Sequence, residues 1–220
     1  MIQLDRDGDV YVLRMESGEN RFSPDFLSEV NDSLSTVEVA EGPKALVTTG
    51  AWKFFSNGLD LDWLNANATE ALPYLDAVHR LFARVLQMPC ATVAACNGHT
   101  FGAGAMLAMS HDFTVMRRDR GYWCLPEVDL GMTFTPAMNA MVPGLLPSRA
   151  AHEAMVTARR YTAEEALSAG IVDAVADEPD VVPEAIARAQ ALAGKAGKAI
   201  GTIRTELHAP VIAALTGDHP

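Results

Sequence analysis

Residues 95–116 read ACNGHTFGAGAMLAMSHDFTVM, and the fold turns on how that stretch is divided. Just upstream, PCATVAAC (89–96) is an apolar run of strand length, and Asn97-Gly98 punctuates it. The glycine-rich FGAGAMLAM (101–109) then opens a helix of small residues, and DFTVMRR (112–118) reads as the next strand. A strand, a turn, a helix and a strand in so short a space point to parallel strands joined by crossovers.

The same order recurs outward in both directions. IQLDR (2–6) and VYVLRM (10–15) flank Asp7-Gly8-Asp9, a hairpin signal. Ser23-Pro24 reads as an N-cap followed by a first-turn proline, with Phe26, Leu27, Val30, Leu34 and Val37 as the apolar face of the helix behind it. KALVTTG (44–50) is a buried strand, and residues 72–88 carry Leu75, Val78, Leu81, Phe82, Val85 and Leu86 at helical spacing. Farther on, Thr162 and Glu165 have capping-box spacing and Gly170 sits where a C′ glycine belongs, before a short strand. Alanine-rich helical segments at 179–196 and 198–215 close the chain. No linker or repeat interrupts residues 1–220, so the expectation is one α/β domain with a core over about 1–178 and a helical segment over about 179–220.

Bulk properties exclude several classes. A net charge of -11 is the wrong sign for a nucleic-acid footprint. No apolar run is long enough to span a bilayer, and the charged N-terminal hairpin pattern is not that of a signal peptide. Cys90, Cys96 and Cys124 lack metal spacing and read as reduced thiols of a cytoplasmic protein. No metal site is expected.

In parallel α/β folds, ligands gather where strand C-termini meet helix N-termini. FSNGLDLDWL (55–64) follows the strand ALVTTG, and the glycine-rich stretch follows ATVAA. Helix N-termini carry unpaired N–H groups, and small residues let a ligand approach them. Two such N–H groups facing each other could hold one oxygen, the geometry of an oxyanion hole. Each motif alone is more often just a turn; two in one chain, each after a strand, shift the balance. A third element, LPEVDLGM (125–132), sets Glu127 between Leu125 and Val128. The usual fate of a glutamate is a solvated edge; turned inward, desolvation makes it a better base near neutral pH.

Together FFSNGLDLDWL (54–64), ACNGHTFGAGAMLAMSHDFTVM and LPEVDLGM resemble the crotonase superfamily, the enoyl-CoA hydratase/isomerase family. RRYTAEEALSAGIVDAVAD (159–177) is similar to the helix–turn–strand that the family places after them, and order and spacing match from about residue 4 to about 178. The chain is shorter at its C-terminus than typical members. The resemblance implies a ββα spiral core with C-terminal helices, an acyl-CoA thioester substrate, no cofactor beyond the substrate's own coenzyme A, and a homotrimer or dimer of trimers packed through the alanine-rich helices.

By position, the resemblance implies oxyanion donors at the backbone N–H groups of Leu59 and Ala103, and Glu127 as the catalytic carboxylate. Lys53, Phe55, Asn57, Gly58, Gly102 and Met106 are the substrate-binding positions around them. The family's hydratases use two glutamates, and the second falls on Met106, which can neither accept nor donate a proton. Hydration needs an activated water and a proton for carbon. Moving a double bond from C3=C4 to C2=C3 needs one base that lifts a C2 proton and returns it to C4. FSNGLD and SHDFTVMRRDRG are also similar to the isomerase branch, so the resemblance implies a Δ3,Δ2-enoyl-CoA isomerase of fatty-acid β-oxidation.

Other residues carry plainer readings. Asp60 reads as an N-cap, Ser56 and Asn57 as turn formers, and Lys53 or Arg21 as solvated cations that could meet CoA phosphates. His99 reads as a turn residue, His111-Asp112 as a dyad in sequence only, and Asp129 as solvent-facing. Trp52, Phe55 and Trp63 are core or pocket aromatics; Met132, Phe134, Met138 and Met141 line a tunnel or form one helix face. The competing readings are another crotonase-type reaction, such as hydration or thioester hydrolysis with an acid from Asp60 or Asp129, and a non-catalytic acyl-CoA binding module.

Overall fold

The computed structural model describes residues 1–217. The N-terminal hairpin pairs β1 (Ile2–Asp7) with β2 (Val10–Met15) antiparallel. After β3 (Arg21–Phe22), Ser23 Oγ accepts the Phe26 N–H and caps α1 (Pro24–Val39), whose five expected apolar residues are all buried. The chain then repeats one unit. A long strand is followed by a short strand and a helix: β4 (Ala45–Gly50) and β5 (Phe54–Ser56), then β6 (Gly58–Leu59), α2 (Leu61–Ala66) and α3 (Ala71–Leu86). Next come β7 (Ala91–Cys96), β8 (His99–Phe101) and α4 (Ala103–Met109), then β9 (Phe113–Arg117), β10 (Trp123–Cys124), α5 (Pro136–Leu145) and α6 (Ser148–Thr157). The last elements are α7 (Ala163–Ser168), β11 (Ala174–Ala176), α8 (Val181–Leu192), α9 (Lys198–Leu207) and α10 (Ala209–Thr216).

The long strands form one sheet in the order β1-β2-β4-β7-β9-β11, parallel beyond the hairpin. The short ones form a parallel sheet, β10-β8-β5, and a pair, β3-β6. Each ββα unit therefore contributes one strand to the large sheet and one to the small sheet before its helix, which is the spiral core implied by the resemblance. Alternation along the long strands divides the apolar residues between two faces. Leu13, Met15, Leu46, Ala94 and Cys96 join the main core with α1, α3, α4 and α5. Val10, Val12, Ala45, Val47, Val93 and Ala95 pack on the other face against Ala185 and Ala189 of α8.

The C-terminal helices depart from expectation in detail. The segment expected at 198–215 breaks at His208 into α9 and α10, because Pro210 cannot continue a helix and sits in a first turn instead. The alanine face of α8 is taken up by the chain's own sheet, so it is not a free surface for another subunit. On α9 the buried Arg204 guanidinium donates to the carbonyls of Val85, Met88 and Cys90 and lies 3.1 Å from Asp112 Oδ1. It thereby caps the C-terminal end of α3, where carbonyls lack helical partners. α10 buries Val211, Ile212 and Leu215, and the bare Gly144 of α5 gives Val211 room, since a Cβ there would lie 2.5 Å from Val211 Cγ2. No helix among the described residues is long and apolar enough to cross a membrane.

Candidate active site

The ends of β6 and β8 and the start of α4 meet at one point. Gly58 has φ +82°, a region that favours glycine. A Cβ on it would lie 2.8 Å from Ala103 N and 2.8 Å from Phe101 O, so the two loops touch backbone to backbone. Gly102, with φ +52°, turns the chain from β8 into α4. Ala103 is the first residue of that helix, so its N–H has no acceptor four residues back. The first loop is held from beneath. Ser56 Oγ donates to Asn20 O at 2.6 Å and accepts the Gly58 N–H at 3.1 Å. Asn57 donates its backbone N–H to Glu19 O and its side-chain N–H to Glu19 Oε2.

A cavity of about 120 Å³ opens at this junction. Leu59, Gly102, Ala103 and Glu127 lie on its wall. Leu61, Leu64 and Leu75 form one side, and Leu130, Met132 and Met138 another. Glu127 follows Pro126 in the turn after β10, and a Cβ on Gly102 would stand 3.6 Å from its Oε1. Its Oε2 is buried and has no hydrogen-bond partner. Burial raises its pKa from the ordinary 4.5 to about 7, its own backbone N–H opposing the rise. The wall thus offers a carboxyl group able to take and return a proton near neutral pH, beside two backbone segments able to present N–H groups to an oxygen.

The structure brings Leu59, Ala103, Glu127, Asn57 and Gly102 to this cavity, with Gly58 buried directly behind. It does not bring the other expected substrate-binding residues there. Met106 is fully buried in the core, because every residue of α4 is buried. Phe55 is likewise fully buried, its side chain pointing from the small sheet into the core. Lys53 is exposed on the turn before β5. Arg21 is engaged by Glu19 and Asp62 at 2.8 and 2.7 Å. Asp60 accepts the Trp63 N–H as the N-cap of α2, and Asp129 is exposed. His111 bonds Leu107 O and Thr48 Oγ1 while Asp112 bonds Thr92, so they form no dyad. His99 packs among Phe54, Phe101 and Tyr122, away from the cavity. Of the methionines, Met132 and Met138 line it and Met141 is core.

Thr135 is a cavity residue that sequence reasoning missed. Thr135 caps α5, lies 2.9 Å from His79 Nε2 and faces the cavity. Its signal was the pair Thr135-Pro136, the same cap-then-proline pattern as Ser23-Pro24.

The match that decides the assignment is to the family described as enoyl-CoA hydratase/isomerase, over residues 6–218. The chain belongs to the enoyl-CoA hydratase/isomerase family. Among its curated relatives is enoyl-CoA delta isomerase 3 of Arabidopsis thaliana, 35% identical over 94% of this chain and 92% of that one. Another is the peroxisomal enoyl-CoA delta isomerase 2 of the same plant, 34% identical over 99% and 95%. The human mitochondrial delta3-delta2-enoyl-CoA isomerase superposes with a TM-score of 0.90 at 26% identity, covering 98% of this chain and 86% of that one. The crotonase fold is therefore shared by this enoyl-CoA hydratase/isomerase family member, a family of enzymes that includes both isomerases and hydratases.

Proposed function

We propose that the chain is a Δ3,Δ2-enoyl-CoA isomerase. The thioester oxygen of a 3-enoyl-CoA sits between the N–H groups of Leu59 and Ala103. Ionised Glu127 lifts a proton from C2, giving a dienolate whose negative oxygen those two donors stabilise, each by about 2.7–4 kcal/mol. Protonated Glu127 then returns the proton to C4, and the double bond is left at C2=C3. The observation that carries this reading is the unpartnered Oε2 of Glu127 in an otherwise largely apolar cavity, with Met106 in the core at the position where, by the resemblance, the family's hydratases carry a second acid. Neither Asp60 nor Asp129, the candidates for a second acid, belongs to the cavity wall. A pure binding module gains nothing from burying a carboxylate, which disfavours the non-catalytic reading. The mechanism asks for no metal and no cofactor, since coenzyme A is part of the substrate.

The test is the pH profile. Glu127 must be ionised to accept the C2 proton, and its pKa is about 7. Thus kcat/KM for a 3-enoyl-CoA should rise tenfold per pH unit below that value and level off above it. A flat profile between pH 5 and 8 would remove Glu127 as the base.

We further propose a homotrimer, following the family's spiral core. Because α8 is occupied by its own sheet, the contacts must come from other surfaces. Sedimentation should give about three times the 23.6 kDa chain mass, or six times for a dimer of trimers; a monomer at working concentrations contradicts this. The free, buried Cys90, Cys96 and Cys124 suit a reducing compartment, and we propose the cytoplasm, with the peroxisome of the plant relative as the alternative.

A further inference from the structure

We infer that Tyr74 is a positioning residue for the Leu59 oxyanion donor. This rests on the isomerase reading and adds to it a residue that never touches substrate. Tyr74 lies in the first turn of α3, buried to 4% exposure. Its Oη accepts the backbone N–H of Asp60 at 3.0 Å. That N–H belongs to the peptide immediately after Leu59, so the bond fixes the backbone on the C-terminal side of the donor residue.

The N-terminal side of Leu59 is fixed differently. There Ser56, Asn57 and Gly58 are tied to Glu19 and Asn20, and β6 pairs with β3. On the C-terminal side the chain passes straight into α2, and α2 and the 3₁₀ turn after it contain no buried residue. Its anchors are few. Asp60 caps the Trp63 N–H from within the segment, Arg21 pairs with the exposed Asp62, and Trp63 packs on the Tyr74 ring with centroids 5.1 Å apart.

The surroundings of α2 give that anchoring its consequence. On one side α2 presents Leu61 and Leu64 to the active-site cavity. On the other side an open groove of about 570 Å³ runs beside Trp63, between α1 and the start of α3, lined also by Leu27, Pro73 and Tyr74. With no residue of α2 fully buried and only Trp63 and Leu64 packed against the core, its first residues gain from a fixed point outside the helix. Tyr74, rooted in the well-buried α3, supplies a fixed point. Burial raises the phenol pKa to about 12, so the hydroxyl stays neutral through the working pH range and the bond to Asp60 does not titrate.

An interaction that orients an oxyanion donor matters most when charge is on the oxygen, so it acts on turnover rather than on ground-state binding. Tyr74→Phe keeps the ring, its packing on Trp63 and its burial, and removes only the acceptor. We expect kcat for a 3-enoyl-CoA to fall about 5- to 20-fold, the size of one lost hydrogen bond that leaves a partly buried N–H unsatisfied. KM and the Kd of a saturated acyl-CoA should stay within about twofold. A second readout needs no isomerase activity. A 3-ketoacyl-CoA forms an enolate whose oxygen mimics the dienolate, and its ultraviolet absorbance reports the bound enolate. Tyr74→Phe should weaken enolate binding by the same factor as kcat while the saturated thioester binds as before. Equal losses for both ligands, or no loss for either, would overturn the inference. An inactive wild-type protein that still shows the selective enolate effect would leave Tyr74's role standing and sink the isomerase reading instead.

Discussion

Glu127→Gln should lower the isomerisation of a 3-enoyl-CoA by about 10²–10⁴-fold, the usual contribution of a positioned general acid–base group. Gln has nearly the same volume, so the Kd of a saturated acyl-CoA should change little. The same substitution should also stabilise the protein at alkaline pH. Glu127 has a folded-state pKa of about 7 against an ordinary 4.5. The folded chain therefore holds this proton more tightly than the unfolded chain. That contribution is fully present below about pH 4.5 and is lost as pH rises through 7. The difference corresponds to about 3 kcal/mol at roughly 1.4 kcal/mol per pH unit. The Gln variant has no such titration. Its Tm should match the wild type near pH 4.5 and exceed it at pH 8. Turnover within a few-fold of wild type would reject Glu127 as the base, and an unchanged Tm difference across that range would reject its burial as a charged group.

Gly58→Ala is the second substitution with a large expected effect. The added Cβ would fall 2.8 Å from both Ala103 N and Phe101 O, which are backbone atoms and cannot swing aside. The residue would also have to adopt φ +82°, where alanine is strained. Relief requires the β6 loop and the start of α4 to separate, which moves the Leu59 and Ala103 donors out of joint register. Loss of one oxyanion donor typically costs about 10²–10³-fold in kcat, and a loss of that order in kcat is the expectation here. Retention of kcat within threefold would mean that the two backbone segments do not act together on one oxygen.

The residues themselves explain which parts of this fold and site were legible beforehand. The inner long strands announced themselves because both of their faces are buried, leaving apolar runs such as Ala45–Val47 and Val93–Cys96. α1, α3 and the capping box of α7 carried their own periodic or capping signals. The short strands β3, β6 and β10 are two residues each. Nothing local marks them, since they exist only where the spiral brings two turns together. α2 has no buried residue and so no apolar stripe to read. α5 was blurred by Pro143 and Gly144 inside it, and Gly144 is there for the approach of α10.

The site shows the same division. Glu127, Leu59, Ala103 and Gly102 are picked out by motifs, and the structure brings all four to one cavity wall. By the resemblance Met106 and Phe55 are substrate-binding positions, and the structure puts both in the core. α4 is buried all round, so sequence could not say which of its faces meets the cavity. Phe55 is held in the core by the small sheet, while Leu59, only partly buried against the same core, reaches the cavity wall. Thr135 reaches the cavity from the cap of α5, and its Thr-Pro pattern marks a helix start rather than a site.

The central claim is that one carboxyl group moves one proton within the substrate. It is tested most directly by offering the protein a 3-enoyl-CoA deuterated at C2 and identifying the product by mass and by nuclear magnetic resonance. The account predicts a 2-enoyl-CoA with its thioester intact and no added water, carrying at C4 part of the deuterium lifted from C2. A 3-hydroxyacyl-CoA, heavier by one water, or a free acid released from coenzyme A, would contradict it.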